Sequence, residues 1–319
     1  MRIAFILDPL ASLKAYKDSS VAMMREAHRR GHEVYAMMRE AIVWDGGGEA
    51  AGLVRAACTR LQLFAEHDHW AAEGERGHQN LADFDAVLMR QDPPFDFEYV
   101  TATWLLERAE AQGARVFNRP RAIRDHNEKI AITEFPQFAP TTLVARDAVD
   151  LQAFIETHGD VILKPLDGMG GASIFRVAKN DPNRNVIVET LTHHGSRTIM
   201  AQRYLPQIAS GDKRILLIDG KPVPYCLARI PKAGESRGNL AAGGTGVAQP
   251  LSKRDREIAE TIGPLLAARG LLLVGLDVIG DYLTEINVTS PTCFVEISQQ
   301  SGCDVAALFI DALEQACSR

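Results

Sequence analysis

Apolar residues in the first third of the chain cluster in short blocks, and the stretches between them have helical spacing. MRIAFILD (1–8) reads as a buried strand. Ser19 or Ser20 can cap a helix running to about Arg30, Gly31 stops it, and HEVYAMM follows as the next strand. The same alternation predicts a strand at Asp83–Met89, a helix at Glu98–Gln112 closed by Gly113, and a strand at Ala114–Asn118. Strand and helix in turn describe an open α/β unit. Between about Ala41 and Asn80 the periodicity is poor; Gly46 to Gly48 marks a turn and the remainder stays unassigned. After Pro120 the texture changes, which places a domain boundary near 120–125. A helical stretch around RDHNEKIAITEF (124–135) precedes Pro136, followed by short strands and a helix at about Asp147–His158.

Three later segments carry candidate chemistry. LLLVGLDVIG (271–280) and LTEINV (283–288) form a hairpin whose loop length decides what faces what. A three-residue loop of Gly280, Asp281 and Tyr282 sets Asp277 opposite Glu285, with Asn287 one pleat further on the same face. The other face then carries Val274, Leu276, Val278, Ile286 and Val288. A two-residue Gly-Asp turn would instead scatter Asp277 among Ile286 and Val288, so the longer loop is preferred. Facing carboxylates with an amide oxygen nearby suit a hard cation such as Mg²⁺; a cross-strand acidic pair on a solvated face is the plainer alternative. DVILKPLDGMGGASIFRV (160–177) places a glycine-rich turn, Asp167 to Gly171, between two strands, with Lys164 on the strand beneath. It lacks both P-loop spacing and the helix a dinucleotide fingerprint requires, yet its amides could close over phosphate oxygens. GDKRILLIDGKPVPYCLARIP (211–231) is a further hairpin around Asp219-Gly220. A two-residue turn puts Arg214 opposite Tyr225 with Arg229 on the same side, although Pro222 and Pro224 can shift that register. KAGESRGNLAAGGTG (232–246) follows, rich in glycine and short of apolar anchors, either a disordered connection or a lid.

Composition narrows the functional class. The 319 residues are 46% hydrophobic and 24% charged with a net charge of −6, an ordinary globular balance without the basic field that nucleic acid or an anionic membrane would need. No stretch reads as a signal peptide or membrane span, and five cysteines without a C-x-x-C suit a reducing cytoplasm. His193 and His194 are adjacent and read as surface residues rather than a metal pair. Strand-end polar residues Asp8, Lys17, Asp18, Ser19, Arg90, Gln91 and Asp92 are candidates for ligand contact. With metal oxygens, a phosphate loop, arginines and a lid but no nucleophile–base pair, the chemistry expected is phosphoryl transfer from ATP. A carboxylate acceptor would give an acyl phosphate that an amine can attack behind a water-excluding lid.

At these residues the chain resembles the bacterial glutathione synthetases of the ATP-grasp ligase superfamily. The likeness runs through DPL with KDSS, DPPFD, RDHNEK, KPLDGMGGASIFRV, GDKR, PYCLARIP, RGNLAAGG and GLDVIGDYLTEINVTSPT. The resemblance implies an α/β chain, α+β in its C-terminal part: an open α/β pre-ATP-grasp domain (1–122), then a two-lobed ATP-grasp domain with a small lobe (123–200) and a C-terminal lobe (201–319) whose lid spans 230–245. It implies γ-glutamylcysteine, glycine and ATP as substrates, Mg²⁺ or possible Mn²⁺ as cofactor, and a cytoplasmic homo-oligomer, a tetramer by family. By the same resemblance Lys129, Lys164, Asp167, Gly168, Met169, Gly170, Gly171, Gln202, Arg203, Tyr204, Leu205 and Asp212 would contact ATP. Asp277, Glu285 and Asn287 would hold the metal, and Arg214 and Arg229 would stabilise the acyl phosphate and the species that follows it. Asp18, Ser19, Ser20, Arg90, Arg237, Gly238, Asn239, Ser290 and Thr292 would serve substrate and lid. Gln91, Thr245 and Val295 stand where the family leads one to expect basic residues.

Overall fold

The structure is a computed structural model that describes residues 1–47, 50–235, 237–240 and 243–319, without the side chains of residues 50 and 51. Three sheets organise it. The first takes strands β1 (Arg2–Ile6), β2 (Glu33–Gly47), β3 (Ala50–Leu63), β4 (Ala71–Asn80), β5 (Ala86–Met89) and β6 (Val116–Phe117) in the order β4-β3-β2-β1-β5-β6. From β2 to β6 it is parallel, while β3 and β4 extend β2 as an antiparallel arm. The arm fills the segment that hydrophobic periodicity left unassigned. Its strands escape the pattern because their outer halves are solvated, with Trp44 and Leu53 exposed. The turn expected at Gly46–Gly48 lies partly outside the described residues, since Gly48 is not among them.

Helix α1 (Ser19–Arg29) begins at Asp18, whose carboxylate accepts from the Val21 amide at 2.9 Å. Asp96 caps α2 (Phe97–Glu110) in the same way. The helix expected over 124–135 is absent as such: α3 (Pro120–Asp125) ends at His126, and a 3₁₀ turn at Ile130–Glu134 follows. Asn127 explains the break, because its side-chain oxygen accepts from the amides of Lys129 and Ile130, a local turn that competes with helix.

The second sheet is antiparallel, β7-β10-β8-β9, built from β7 (Thr142–Ala145), β8 (Asp160–Pro165), β9 (Phe175–Ala178) and β10 (Ile199–Arg203). Helices α4 (Ala148–His158) and α5 (Arg184–Leu191) cover it, and Leu151, Ile155, Val161, Leu163, Val177, Val188 and Ile199 form its own core. The third sheet runs β14-β13-β11-β15-β16, from β11 (Asp212–Ile218), β13 (Tyr225–Ile230), β14 (Thr245–Pro250), β15 (Leu273–Ile279) and β16 (Tyr282–Asn287), with short β12 (Lys221–Pro222) paired to β11. Helices α6 (Lys253–Ala268), α7 (Phe294–Ser301) and α8 (Val305–Ser318) complete this part. Its apolar residues merge with those of the first sheet into shared cores. Asn118 fixes that junction: its side chain donates to the carbonyls of Leu273 and Val288 and accepts from the Leu273 amide. Among the described residues no helix is long and apolar enough to cross a membrane.

Candidate active site

The third sheet lays its polar side chains out in rows. Asp277 on β15 lies opposite Glu285 on β16 and opposite Arg214 on β11, and Asn287 follows opposite Gly275. The register matches expectation but its cause does not. Ile279 pairs with Tyr282, so the turn is the two-residue Gly280-Asp281, with Gly280 at φ +58. A β-bulge then inserts Thr284, whose hydroxyl donates to the Asp277 carbonyl at 3.1 Å, and this extra residue returns Glu285 and Asn287 to the polar face. The arginine hairpin also departs from expectation. Its Asp219-Gly220 turn is two residues long, but the ladder is interrupted after Pro222, so Arg214 faces Leu227 rather than Tyr225, and Arg229 stands opposite Asp212. Both guanidiniums still share one face, because the interruption spans two residues and preserves the alternation.

These rows make a buried charge cluster. Arg214 grips Asp277 with two contacts, Nε to Oδ1 at 2.5 Å and Nη2 to Oδ2 at 3.1 Å. Arg229 bridges Asp277 at 2.9 Å and Asp212 at 2.5 Å. Gly275 makes room for this: a Cβ there would lie 2.9 Å from Arg214 Cδ and from Pro291 Cβ. Lys164 and Lys129 approach Glu285 at 3.4 and 3.8 Å, and Lys129 also donates to the Gly168 carbonyl at 2.7 Å. Burial alone would raise the Asp277 carboxyl, yet Arg214 and Arg229 hold it well below the ordinary range. Asp212 goes the other way. Burial pushes it up to about 7 despite Arg229, and Asp277 and Glu285 add to the rise. Its Oδ1 is buried without a hydrogen-bond partner.

Two clefts meet at this cluster. One is lined by Lys129, Lys164, Gly168 to Gly171, Gln202 to Leu205, Asp212 and Arg237 to Asn239, with an apolar wall of Ile162, Ile174, Ile208 and Ile279. The other is lined by Asp18, Arg214, Arg229, Asn287, Ser290 and Thr292, together with Lys17, Glu128, Thr289 and Glu296. Asp277, Glu285, Asn239 and residues Gly168 to Gly170 belong to both. An elongated polyanion in the first cleft would therefore end beside the arginines of the second.

Both halves of this arrangement match one family. The description "Prokaryotic glutathione synthetase, N-terminal domain" fits residues 1–124, and "Prokaryotic glutathione synthetase, ATP-grasp domain" fits residues 128–302. The chain belongs to the prokaryotic glutathione synthetase family. It is 61% identical over 320 residues to the glutathione synthetase of Nitrosomonas europaea, covering 100% of this chain and 99% of the relative. It is 59% identical over 319 residues to that of Ralstonia nicotianae, covering 100% and 97%. Among solved structures it is similar to the D-cycloserine synthetase DcsG, with a TM-score of 0.66, 16% identity and 99% of each chain covered. The ATP-grasp ligase PsnB, complexed with minimal precursor, Mg and ADP, gives a TM-score of 0.63 at 18% identity, covering 99% of this chain and 98% of that one. At such identities the likeness concerns the fold, an ATP-grasp ligase fold.

Other family-implied positions fall at different depths. Ser19, Ser20 and Arg90 are buried and do not line either cleft. Ser19 Oγ accepts from the Phe294 amide, while Arg90 donates to Ser20 Oγ and to the Pro291 carbonyl, so this trio supports the wall that carries Ser290 and Thr292. Asp167 sits outside the clefts and pairs with Arg197. Gln202 donates to Thr142 Oγ1 at 3.1 Å, and Arg176 stacks 3.7 Å over the Tyr204 ring. Gln91 meets Asp8 at 3.4 Å and leaves its Oε1 buried without a partner. Of the lid segment 230–245, residues 236, 241 and 242 lie outside the described residues. Sequence reasoning missed Glu128 and the isoleucine wall. The wall residues are scattered over two strands, a 3₁₀ turn and the loop before β9, and only the Asn127-Glu128-Lys129 run gave any signal for the glutamate.

A divalent cation fits the donor set. Asp277, Glu285 and Asn287 present oxygens from adjacent strands, and Asp212, paired with Arg229 through Oδ2, keeps a buried Oδ1 with no hydrogen-bond partner. Within the cluster the cations outnumber the carboxylates, which leaves a place for a triphosphate as well.

Proposed function

We propose that this chain joins γ-glutamylcysteine to glycine at the expense of ATP, giving glutathione, ADP and phosphate through a γ-glutamylcysteinyl phosphate. The observation that carries the reading is the meeting of the two clefts at Asp277 and Glu285, beneath a glycine turn and beside Arg214 and Arg229. In it, the isoleucine wall and Gln202–Leu205 hold the adenine, Lys129 and Lys164 bind phosphates, and Gly168 to Gly171 cover them. Asp277, Glu285 and Asn287, with Asp212 beside them, would hold Mg²⁺, for which Mn²⁺ can substitute; the bound ion supplies charge neutralisation to the phosphates. Arg214 and Arg229 orient the acceptor carboxylate and take up charge that grows on the acyl phosphate and on the tetrahedral species formed by glycine. Arg237, Gly238 and Asn239 close over the reacting groups and exclude water.

The same reading divides the chain into an N-terminal domain (1–122), a small lobe (123–200) and a C-terminal lobe (201–319), and makes it a cytoplasmic homo-oligomer, a tetramer by family. Asp18, Ser290 and Thr292 line the substrate cleft, and Ser19, Ser20 and Arg90 position it. ADP release measured with γ-glutamylcysteine and glycine together, and with each omitted, tests the activity. Glutathione should form one for one with ADP only when both are present. ADP release indifferent to γ-glutamylcysteine would overturn the assignment of substrate.

A further inference from the structure

Glu128 lies on the wall of the substrate cleft and binds the chain on both sides of Asn287. Its backbone carbonyl accepts from the Ile286 amide at 2.8 Å. Its Oε1 accepts from the Val288 amide at 3.0 Å, the Thr289 amide at 3.1 Å and the Thr289 hydroxyl at 2.7 Å. The amides on both sides of Asn287 therefore converge on one residue from a different part of the chain, while the Val288 carbonyl is held by Asn118. The Asn287 side chain donates through Nδ2 to the Gly275 carbonyl at 3.2 Å, and among the described residues its Oδ1 has no hydrogen bond. Beyond Asn287 strand β16 ends, so no further ladder fixes the residues that follow; Glu128 replaces the ladder there.

The neighbours of Glu128 extend the connection. Asn127 donates to the Leu166 carbonyl at 3.1 Å, and Lys129 donates to the Gly168 carbonyl while facing Glu285. Residues 127–129 thus tie the glycine turn of the small lobe to the donor strand of the large one. A lone buried carboxylate is a costly way to hold a loop, and three donors on a single oxygen offset that cost.

We infer that Glu128 is a positioning residue that sets the Asn287 amide oxygen as the third metal donor, through the hydrogen bonds it accepts rather than through its charge. The inference rests on Asp277, Glu285 and Asn287 being the metal donors. Groups that orient metal ligands typically govern affinity by about 10- to 100-fold. Mn²⁺ binding to the full-length protein in the presence of ADP, read by the electron paramagnetic resonance of free Mn²⁺ and without amino-acid substrates, gives a measure that does not depend on turnover. Glu128→Ala should weaken Mn²⁺ by at least about tenfold, Thr289→Val by a smaller factor, and Glu128→Gln, whose amide oxygen can still accept, should stay within a few-fold of the unaltered protein. Glu128→Gln as impaired as Glu128→Ala would overturn the inference, since charge would then be the cause. Should Glu128→Ala fail to fold, unchanged affinity in Thr289→Val overturns it alone. Asn287→Ala separates the two levels: if it leaves Mn²⁺ affinity intact, the donor assignment fails and the positioning role with it; if it weakens Mn²⁺ while the Glu128 and Thr289 variants do not, only the positioning role fails.

Discussion

Asp277 is committed to two arginines before any cation arrives. Removing one partner of a buried ion pair leaves the other charge uncompensated and costs about 3–5 kcal/mol. Asp277→Asn should therefore lower the melting temperature of the ligand-free protein as well as its turnover, because Arg214 and Arg229 would be left buried side by side. Glu285 is different. Its lysine contacts are longer, and Lys129 and Lys164 each keep a carbonyl acceptor, at Gly168 and Thr284, so Glu285→Ala should abolish most Mg²⁺-dependent turnover with a smaller change in melting temperature. Thermal denaturation and ADP release on both variants check the contrast; equal thermal losses would mean that the arginine pairing contributes no more to the fold than the lysine contacts of Glu285. Gly275→Ala tests the same pairing from beneath. A methyl group 2.9 Å from Arg214 Cδ must displace the guanidinium, so kcat should fall while nucleotide affinity, which the proposal assigns to the other cleft, is kept. Asp277, Glu285, Asn287, Lys164, Arg214 and Arg229, which border the two clefts, were picked out in the sequence by residue chemistry, whereas Gln202 to Leu205 and Arg237 to Asn239 were picked out only through the family resemblance. Burial was not legible, and burial turns Ser19, Ser20 and Arg90 into supports behind the wall.

The bounds of α1, α2 and α4 were readable from capping and apolar spacing, but those of α3 and of the β2–β3 arm, and the hairpin registers, were not. Asp277 and Glu285 face each other as expected, through a two-residue turn and a bulge at Thr284 instead of a three-residue loop. Two different backbones give the same facing pair, and the apolar pattern, which has period two, distinguishes parity rather than loop length. The arginine hairpin slipped for a reason visible in the sequence, the prolines at 222 and 224, whose missing amides interrupt the ladder. Helix contacts add an element-scale prediction. Glu26 on α1 takes hydrogen bonds from Arg29 and Arg30, and Arg30 continues to Asp311 and Glu314 on α8. The Arg29 hydrogen bond, opposed by burial and aided by Arg30, holds the Glu26 carboxyl below its ordinary value. A depressed carboxylate stabilises the fold above its unfolded pKa, about 4.3, and that contribution disappears as the pH falls through the folded value. The melting temperature of Glu26→Gln should thus lie below that of the unaltered protein at pH 7, and the gap should close in acid. A gap independent of pH would assign the loss to packing.

At the scale of the whole molecule, the small sheet has its own core, whereas the first and third sheets share theirs. Sequence texture marked a change near 120 but not this sharing, since contacts such as those of Asn118 with Leu273 join residues 155 positions apart. The β2–β3 arm was equally hidden, being solvated where a pattern would have revealed it. One face of the small sheet has its own core while Met200 of β10 packs into the larger one, so the glycine turn meets the third sheet's segment 237–239 only through what touches across the cleft. Gly171 is such a point. It holds φ +82, and a Cβ there would lie 2.9 Å from Asn239 Oδ1 and 3.1 Å from Arg237 Cδ, while its carbonyl accepts from Arg237 at 3.4 Å. Gly171→Ala would add strain at a positive φ and a methyl group between turn and lid. Lys129 and Lys164, proposed above to bind phosphates, stay in place, so acyl phosphate should still form, but behind a proposed lid that no longer seats. Water then competes with glycine for the intermediate, and ADP release should exceed glutathione formation, with the excess falling as glycine is raised. A ratio that stays at one while both rates fall together would show that the turn acts on phosphoryl transfer itself and that the contact with Arg237 and Asn239 has no part in excluding water.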